Sequence, residues 1–158
     1  MELSLIEDLI YGAIASIGFA TISNPPIKSL KYCGIIAGLG HVVRFLLMRN
    51  VGLNIICGDF IAALFIGFLA VIISGKAKCP AESLSFPALL PMIPGMYAYH
   101  MVQGLIGLMG VDGKEDFDHF FFLFGYNLII TLSVIFLMVV GISLPIFFLK
   151  KLSFEATK

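Results

Sequence analysis

Charged side chains are scarce in this sequence. Only 13% of its 158 residues are Asp, Glu, Lys or Arg, and ten basic residues balance ten acidic ones. A soluble domain carries about 25% charged residues, and a nucleic-acid-binding domain needs a concentrated excess of positive charge. The composition therefore excludes nucleic acid as a partner and does not fit a soluble globular domain.

Cysteines are also few, and catalytic motifs are missing. Cys33, Cys57 and Cys79 are widely spaced, so they predict neither a disulfide framework nor a metal site, and we expect no cofactor. The sequence has no HExxH motif and no convincing Ser–His arrangement. Gly58-Asp59 and Pro87-Ala88-Leu89 superficially resemble aspartyl intramembrane proteases. That chemistry needs two carboxylates, and the later segments offer only Asp59, so we expect no enzyme.

Apolar residues dominate what is present. They make up 59% of the chain, more than a domain of this size can bury. A membrane-spanning helix needs about 20 apolar residues. Five segments come close to or exceed this length: residues 5–23, 32–48, 53–74, 84–109 and 117–149. The sequence predicts an all-α, polytopic membrane protein with five transmembrane helices, forming a single membrane domain over residues 1–158. In the last segment, Gly141 and Pro145 predict a bend or an end of the helix.

The loop charges predict how these spans are oriented. With five spans, only Arg49 and Lys114 fall on one side, and seven residues fall on the other: Lys28, Lys31, Lys76, Lys78, Lys150, Lys151 and Lys158. The positive-inside rule then places the N-terminus outside and the C-terminus in the cytoplasm. The first ten residues lack the positive charge of a cleaved signal peptide, so we expect the first span to remain.

Three segments carry small residues on one face, which lets helices pack closely in a membrane. In the second segment this face comprises Gly34, Ala37, Gly38, Gly40, His41 and Arg44. The opposite, lipid-suited face comprises Ile35, Ile36, Leu39, Val42, Val43, Leu46 and Leu47. In the first and third segments the small faces comprise Gly12, Ser16 and Ala20, and Asp59, Ala62, Ala63, Gly67, Ala70 and Ser74. We expect a tightly packed bundle.

Arg44 is the first candidate for a binding residue. A charged side chain at membrane depth costs about 2.5–3.5 kcal/mol or more on insertion scales, so it is expected to be paired or to line a cavity. His41 lies one turn earlier on the same face. Together they predict an anion site in which Arg44 binds a carboxylate and His41 donates a hydrogen bond or carries a proton. The alternative is an Arg44 side chain that reaches the membrane surface.

Asn54, in the turn after the second segment, and Asp59, shortly after that turn, are further candidates. Asp59 is an acid within an apolar run, and a short turn containing Asn54 separates it from Arg44. Two roles are open for Asp59: a structural ion pair with Arg44, or a proton carrier that couples transport.

The run from Pro87 to Tyr99 predicts a broken fourth span. Pro91 and Pro94 each lack an N–H group, and Gly95 tolerates unusual backbone angles. A new helix starting near Gly95 would offer free N–H groups to an anion, with Tyr97 and Tyr99 close by. The alternative is a simple proline kink with aromatic residues at the membrane interface.

These motifs together resemble a known family. Asn24-x-Pro26, Gly40-His41-x-x-Arg44, Gly52-Leu53-Asn54 and Pro91-x-x-Pro94-Gly95 occur in the order and spacing of the small, YjjB-like subunit of split threonine/serine exporters. The resemblance covers roughly residues 10–149. It implies a bacterial inner-membrane protein that works with a larger five-span exporter-domain subunit, and it leaves open several copies of each.

The resemblance implies export of threonine and serine, or of a dicarboxylate such as succinate. All these solutes carry a carboxylate, which suits a buried Arg44 and a helix N-terminus. The leading hypothesis is therefore a transport subunit for a small carboxylate-bearing solute. The alternative is a non-transporting subunit that assembles or supports a membrane complex.

Overall fold

The protein is all-helical in the part described by its computed structural model, residues 5–22, 26–111 and 113–149. This part contains six α-helices and no β-strand, which confirms the predicted all-α class. The helices are α1 (Leu5–Ile22), α2 (Ile27–Arg49), α3 (Ile55–Ala77), α4 (Ala81–Leu89), α5 (Gly95–Met109) and α6 (Lys114–Phe148), and a short 3-10 helix, Leu90–Met92, follows α4.

Four of these helices are long and apolar enough to cross a membrane: α1, α2, α3 and α6. They indicate a multi-pass membrane protein. The predicted span over residues 84–109 corresponds to α4 and α5, which have nine and 15 residues, and neither alone reaches the length of a crossing. The predicted count of five spans is therefore not confirmed.

The chain divides into two compact units. The first contains α1 to α4 together with the end of α6 from Leu137, and the second, residues 93–136, contains α5 and the first part of α6.

In the first unit, α2 packs against α1, α3 and α4. The small-residue faces predicted for α1 and α3 are buried, and so are Gly34, Ala37, Gly38, Gly40 and His41 of α2. The prediction that Ile36 faces lipid is wrong, because Ile36 is fully buried. Because three helices pack against α2, it buries more of its surface than the small-residue face alone.

Two glycines let α3 and the end of α6 approach closely. A Cβ atom on Gly67 would lie 2.6 Å from the backbone oxygen of Ile142, and one on Gly141 would lie 2.9 Å from that of Phe60. A bend or an end of the helix was predicted at Gly141 and Pro145. The end is wrong, because α6 continues through both residues to Phe148, and the bend stays a prediction. Gly141 instead provides room for α3.

In the second unit, two glycines let α5 and the first part of α6 approach closely. A Cβ atom on Gly104 of α5 would lie 2.6 Å from the backbone nitrogen of Phe124, and Gly107 lies against the ring of Phe120. Gly104 is the buried residue that α5 contributes, and its large apolar side chains Met96, Val102, Leu105, Ile106 and Met109 are exposed. Lipid or another protein must cover this surface.

Candidate functional site

The turn between α2 and α3 fixes the geometry of the candidate site. Gly52 has φ +73°, a left-handed conformation that favours glycine. The Asn54 side chain accepts a hydrogen bond of 2.9 Å from the backbone N–H of Cys57 and so caps α3. The Gly52-Leu53-Asn54 motif thus shapes the turn, and Asn54, a candidate coupling residue, has a capping role in this structure.

Across this turn, Arg44 of α2 forms an ion pair with Asp59 of α3. The Asp59 side chain is fully buried, whereas the Arg44 side chain keeps 21% exposure. A buried carboxylate without a partner is strongly unfavourable, and removing one member of a buried pair typically destabilises a protein by about 3–5 kcal/mol. Arg44 therefore supplies the counter-charge of the buried Asp59.

A second acid–base contact lies beside this pair. The Nδ1 atom of His41 is 3.5 Å from Oδ1 of Asp8 on α1, and the two side chains are 6% and 27% exposed. Gly12 provides space for the imidazole, since a Cβ atom there would lie 2.5 Å from Cδ2 of His41. Asp8, His41, Arg44 and Asp59 form what we call the polar cluster.

The polar cluster lies at one end of the first unit. Asp8 and Asp59 lie three and four residues after the starts of α1 and α3, and Arg44 lies five residues before the end of α2. At 1.5 Å per residue these positions are about 5–8 Å inside the helix ends. In the predicted topology this is the outer end of the bundle.

The polar cluster has hydrogen-bonding capacity that the described residues leave unused. Both ring nitrogens of His41, Nε of Arg44 and both carboxylate oxygens of Asp59 are buried without a well-aligned hydrogen bond among those residues. Unsatisfied polar atoms are rare in protein interiors, so their concentration here makes the polar cluster the candidate site.

The helix break predicted at Pro91, Pro94 and Gly95 is present. Helix α4 ends at Leu89, Pro91 lies in the 3-10 helix, and Gly95 begins α5. Pro94, with φ −77° and ψ 68°, forms an inverse γ-turn in which the Gly95 N–H donates to the Ile93 carbonyl at 2.8 Å. One N–H group expected to be free for an anion is therefore already used.

The two tyrosines of α5 lie on different faces. Tyr97 is half-buried and Tyr99 is 62% exposed. Residues two apart in a helix do not face the same neighbour. Pro94, Gly95, Tyr97 and Tyr99 belong to the second unit and Arg44 and His41 to the first, so a joint site stays a prediction.

Sequence reasoning missed Asp8 as a site residue. A signal was present, because Asp8 lies within the first apolar segment and carries one of its few charges. Spacing along the chain connected His41 with Arg44 within α2, but only the packing of α1 against α2 brings Asp8 to His41.

The comparisons with known proteins identify the family of this chain. The family described as "Threonine/Serine exporter, ThrE" matches residues 8–148. A curated relative, an uncharacterized protein of Haemophilus influenzae, is 35% identical over 143 residues, which cover 90% of this chain and 47% of the relative. The chain thus spans about half the length of that relative. No solved structure gives a significant match. The chain belongs to the threonine/serine exporter (ThrE) family.

Proposed function

We propose that this chain is a transport subunit that exports a small carboxylate-bearing solute, such as threonine, serine or a dicarboxylate like succinate. The observation that carries the proposal is the ion pair between Arg44 and the fully buried Asp59. Family membership supports an exporter, and an arginine paired inside an apolar bundle supports a carboxylate as the group it handles.

In the proposed mechanism the solute carboxylate replaces Asp59 on Arg44. A guanidinium offers two parallel N–H groups to a carboxylate, so the incoming group takes the same geometry as the one that leaves. Asp59 then lacks a counter-charge in a dry interior and takes up a proton. His41, in contact with Asp8 at the predicted outer end, is the group that passes this proton. Solute exit is thereby coupled to proton movement.

The chain provides half of a larger transporter in this proposal. Its partner is the larger, five-span exporter-domain subunit. A curated relative in which the matched region is only 47% of the length supports such a division. The exposed apolar side chains of α5 supply surface for this partner. The break at Pro91, Pro94 and Gly95, with Tyr97 and Tyr99, is a second candidate for contact with the substrate.

We further propose five crossings in the bacterial inner membrane. Helices α4 and α5 together form the broken fourth crossing, because their combined segment of residues 81–109 exceeds the length of about 20 residues that a span needs. The N-terminus then lies outside and the C-terminus in the cytoplasm, which leaves most lysines on the cytoplasmic side.

One observation favours a second candidate, a subunit that supports assembly without transporting. Arg44 already has a partner in Asp59, so the pair is complete without a solute. In that case the pair would join α2 to α3, and the partner subunit alone would bind the solute.

Solute efflux from cells tests the proposal. We expect efflux only when this chain is expressed with the product of its genomic neighbour. Arg44→Lys keeps the charge and loses the planar fork, so it lowers efflux at least tenfold, whereas Arg49→Lys is the matched control and leaves efflux near normal. If the two variants export equally at equal complex levels, Arg44 does not bind the solute.

A further inference from the structure

A cavity of about 520 Å³ lies where α2 begins and α3 ends. Four lysines line it: Lys28, Lys31, Lys76 and Lys78. The lining, completed by Pro26, Ile27, Tyr32 and Ala77, includes no acidic residue among the described ones. Four ammonium groups around one cavity repel each other, and an anion between them removes this repulsion.

The start of α2 adds to the positive potential of this cavity. Its first turn carries no acidic residue, and Pro26 at the cap position makes no side-chain hydrogen bond to the helix. The N-terminal end of a long helix carries about half a positive charge and directs N–H groups outward. The cavity therefore combines a helix N-terminus with four lysine side chains.

An apolar groove of about 390 Å³ adjoins this cavity. It lies between α1 and α2, where Ala13, Gly34 and Gly38 leave room, and its other walls are Leu9, Ile17, Ile35 and Leu39. Lys31 lines both the groove and the lysine cavity. From Lys31 the groove follows α2 for eight residues to Leu39, which is about 12 Å.

We propose that the groove and the lysine cavity together bind one anionic phospholipid. The phosphate of the headgroup lies among the four lysines, and an acyl chain follows the groove between α1 and α2. Ile17, Ile35 and Leu39 are 37%, 52% and 40% exposed, so the groove is open to an acyl chain from the surrounding bilayer.

Charge and shape together select this occupant. The headgroup of a zwitterionic lipid carries a positive charge of its own, which the lysines would repel. A free anion would leave the apolar groove unfilled. Basic pockets beside transmembrane helices are typical sites for anionic headgroups. The site is separate from the polar cluster, and the inference does not depend on which solute is exported.

The fluorescence of a single introduced tryptophan can report lipid binding, because the sequence contains no tryptophan of its own. Leu39→Trp places one at the far end of the groove, and Ile72→Trp places a control on α3, where Ile72 is 52% exposed and lies outside the groove. The full chain is reconstituted with phosphatidylcholine plus a small fraction of lipid brominated on its acyl chains. That lipid is either phosphatidylglycerol or phosphatidylcholine.

We expect brominated phosphatidylglycerol to quench the Leu39→Trp reporter with an affinity at least about fivefold above that of brominated phosphatidylcholine, since each lysine near a headgroup contributes roughly that factor. The Ile72→Trp reporter should show no preference. Equal quenching of the Leu39→Trp reporter by the two lipids would overturn the proposal.

Two variant pairs test the two halves of the site separately. Lys28→Gln with Lys31→Gln should abolish the preference, while Lys114→Gln, which removes a lysine outside the cavity, should leave it intact. Ala13→Phe should fill the groove and displace the lipid, while Ile14→Phe, on the exposed side of α1, should not. If Lys114→Gln lowers the preference for phosphatidylglycerol as much as the cavity variants do, the preference reflects only the total positive charge of the protein, and the proposal fails.

Inorganic phosphate distinguishes a lipid from a free anion. Phosphate and chloride at equal ionic strength should weaken the preference to the same small degree. If phosphate alone abolishes it, the cavity binds the free anion and the lipid assignment is wrong. Each variant is first compared with the parent by circular dichroism and size-exclusion chromatography. If the double lysine variant misfolds, the single substitution Lys31→Gln replaces it.

Discussion

Arg44 and Asp59 are paired across the turn between α2 and α3, and the carboxylate of Asp59 is completely buried. This relationship accounts for an arginine in an apolar helix, because the pair is nearly neutral as a unit. Under the export mechanism that we propose, a solute carboxylate competes with Asp59 for Arg44, which gives Asp59 a part in every cycle.

The contact between Gly12 and His41 gives the first prediction. Gly12→Ala adds a Cβ atom 2.5 Å from Cδ2 of His41 and so displaces the imidazole from Asp8. We expect efflux to fall about as far as it falls in His41→Ala. The double variant should lose no more than His41→Ala alone, since both changes act through one side chain. Gly18→Ala, with open space around the added atom, is the matched control. Additive losses would show that Gly12 acts independently of His41.

The crossing of α3 with the end of α6 gives a stability prediction. Gly67→Ala places a Cβ atom 2.6 Å from the backbone oxygen of Ile142, which cannot move as a side chain can. Overpacking of this kind typically destabilises by about 1–3 kcal/mol. Thermal unfolding in detergent should show the loss, while Gly75→Ala, where no atom lies within 4 Å of the added Cβ, should not. Equal midpoints for the two variants would contradict this packing.

Two substitutions of Asn54 distinguish a role in capping α3 from a role in coupling transport to protons. Asn54→Ala removes the hydrogen bond to Cys57 N–H and should destabilise the protein by about 1 kcal/mol, whereas Asn54→Ser retains a capping oxygen. If capping is its role, Asn54→Ser exports normally and Asn54→Ala exports in proportion to the folded protein present. Loss of proton coupling in the well-folded Asn54→Ser variant would instead indicate a direct part in transport.

The membrane topology can be tested by labelling. With Cys33, Cys57 and Cys79 replaced by alanine, Ser4→Cys and Thr157→Cys should react with a membrane-impermeant maleimide from opposite sides. Both positions lie outside the described residues, and their labelling depends only on the number of crossings. Five spans predict opposite sides and four predict the same side, so labelling from one side would exclude α4 and α5 as a crossing.

Much of the fold was predictable because it follows from local patterns. Apolar length located α1, α2, α3 and α6, and the proline spacing located the start of α5 at Gly95. The small-residue faces predicted which sides of α1 and α3 are buried. Ile36 was misassigned because a single helix does not reveal how many neighbours surround it, and α2 has three in the first unit.

The candidate site was only partly predictable for a similar reason. Arg44 and Asp59 are separated by one short turn, so their proximity follows from the chain itself. Asp8 reaches His41 only through the packing of α1 on α2, and the capping role of Asn54 depends on where α3 begins. The role of Gly141 in leaving room for Phe60 of α3 depends on packing between helices, which no spacing within α6 reveals.

The measurement that tests the central claim most directly is solute efflux by the double variant Arg44→Leu with Asp59→Leu, compared with each single variant. Replacing a whole buried ion pair by apolar residues is often neutral for stability, whereas removing one partner leaves a buried charge. Our account predicts that the double variant folds and assembles as well as the parent, unlike Asp59→Leu alone, and that it exports no solute. Normal export by a well-assembled double variant would contradict the account, because the pair would then serve structure alone.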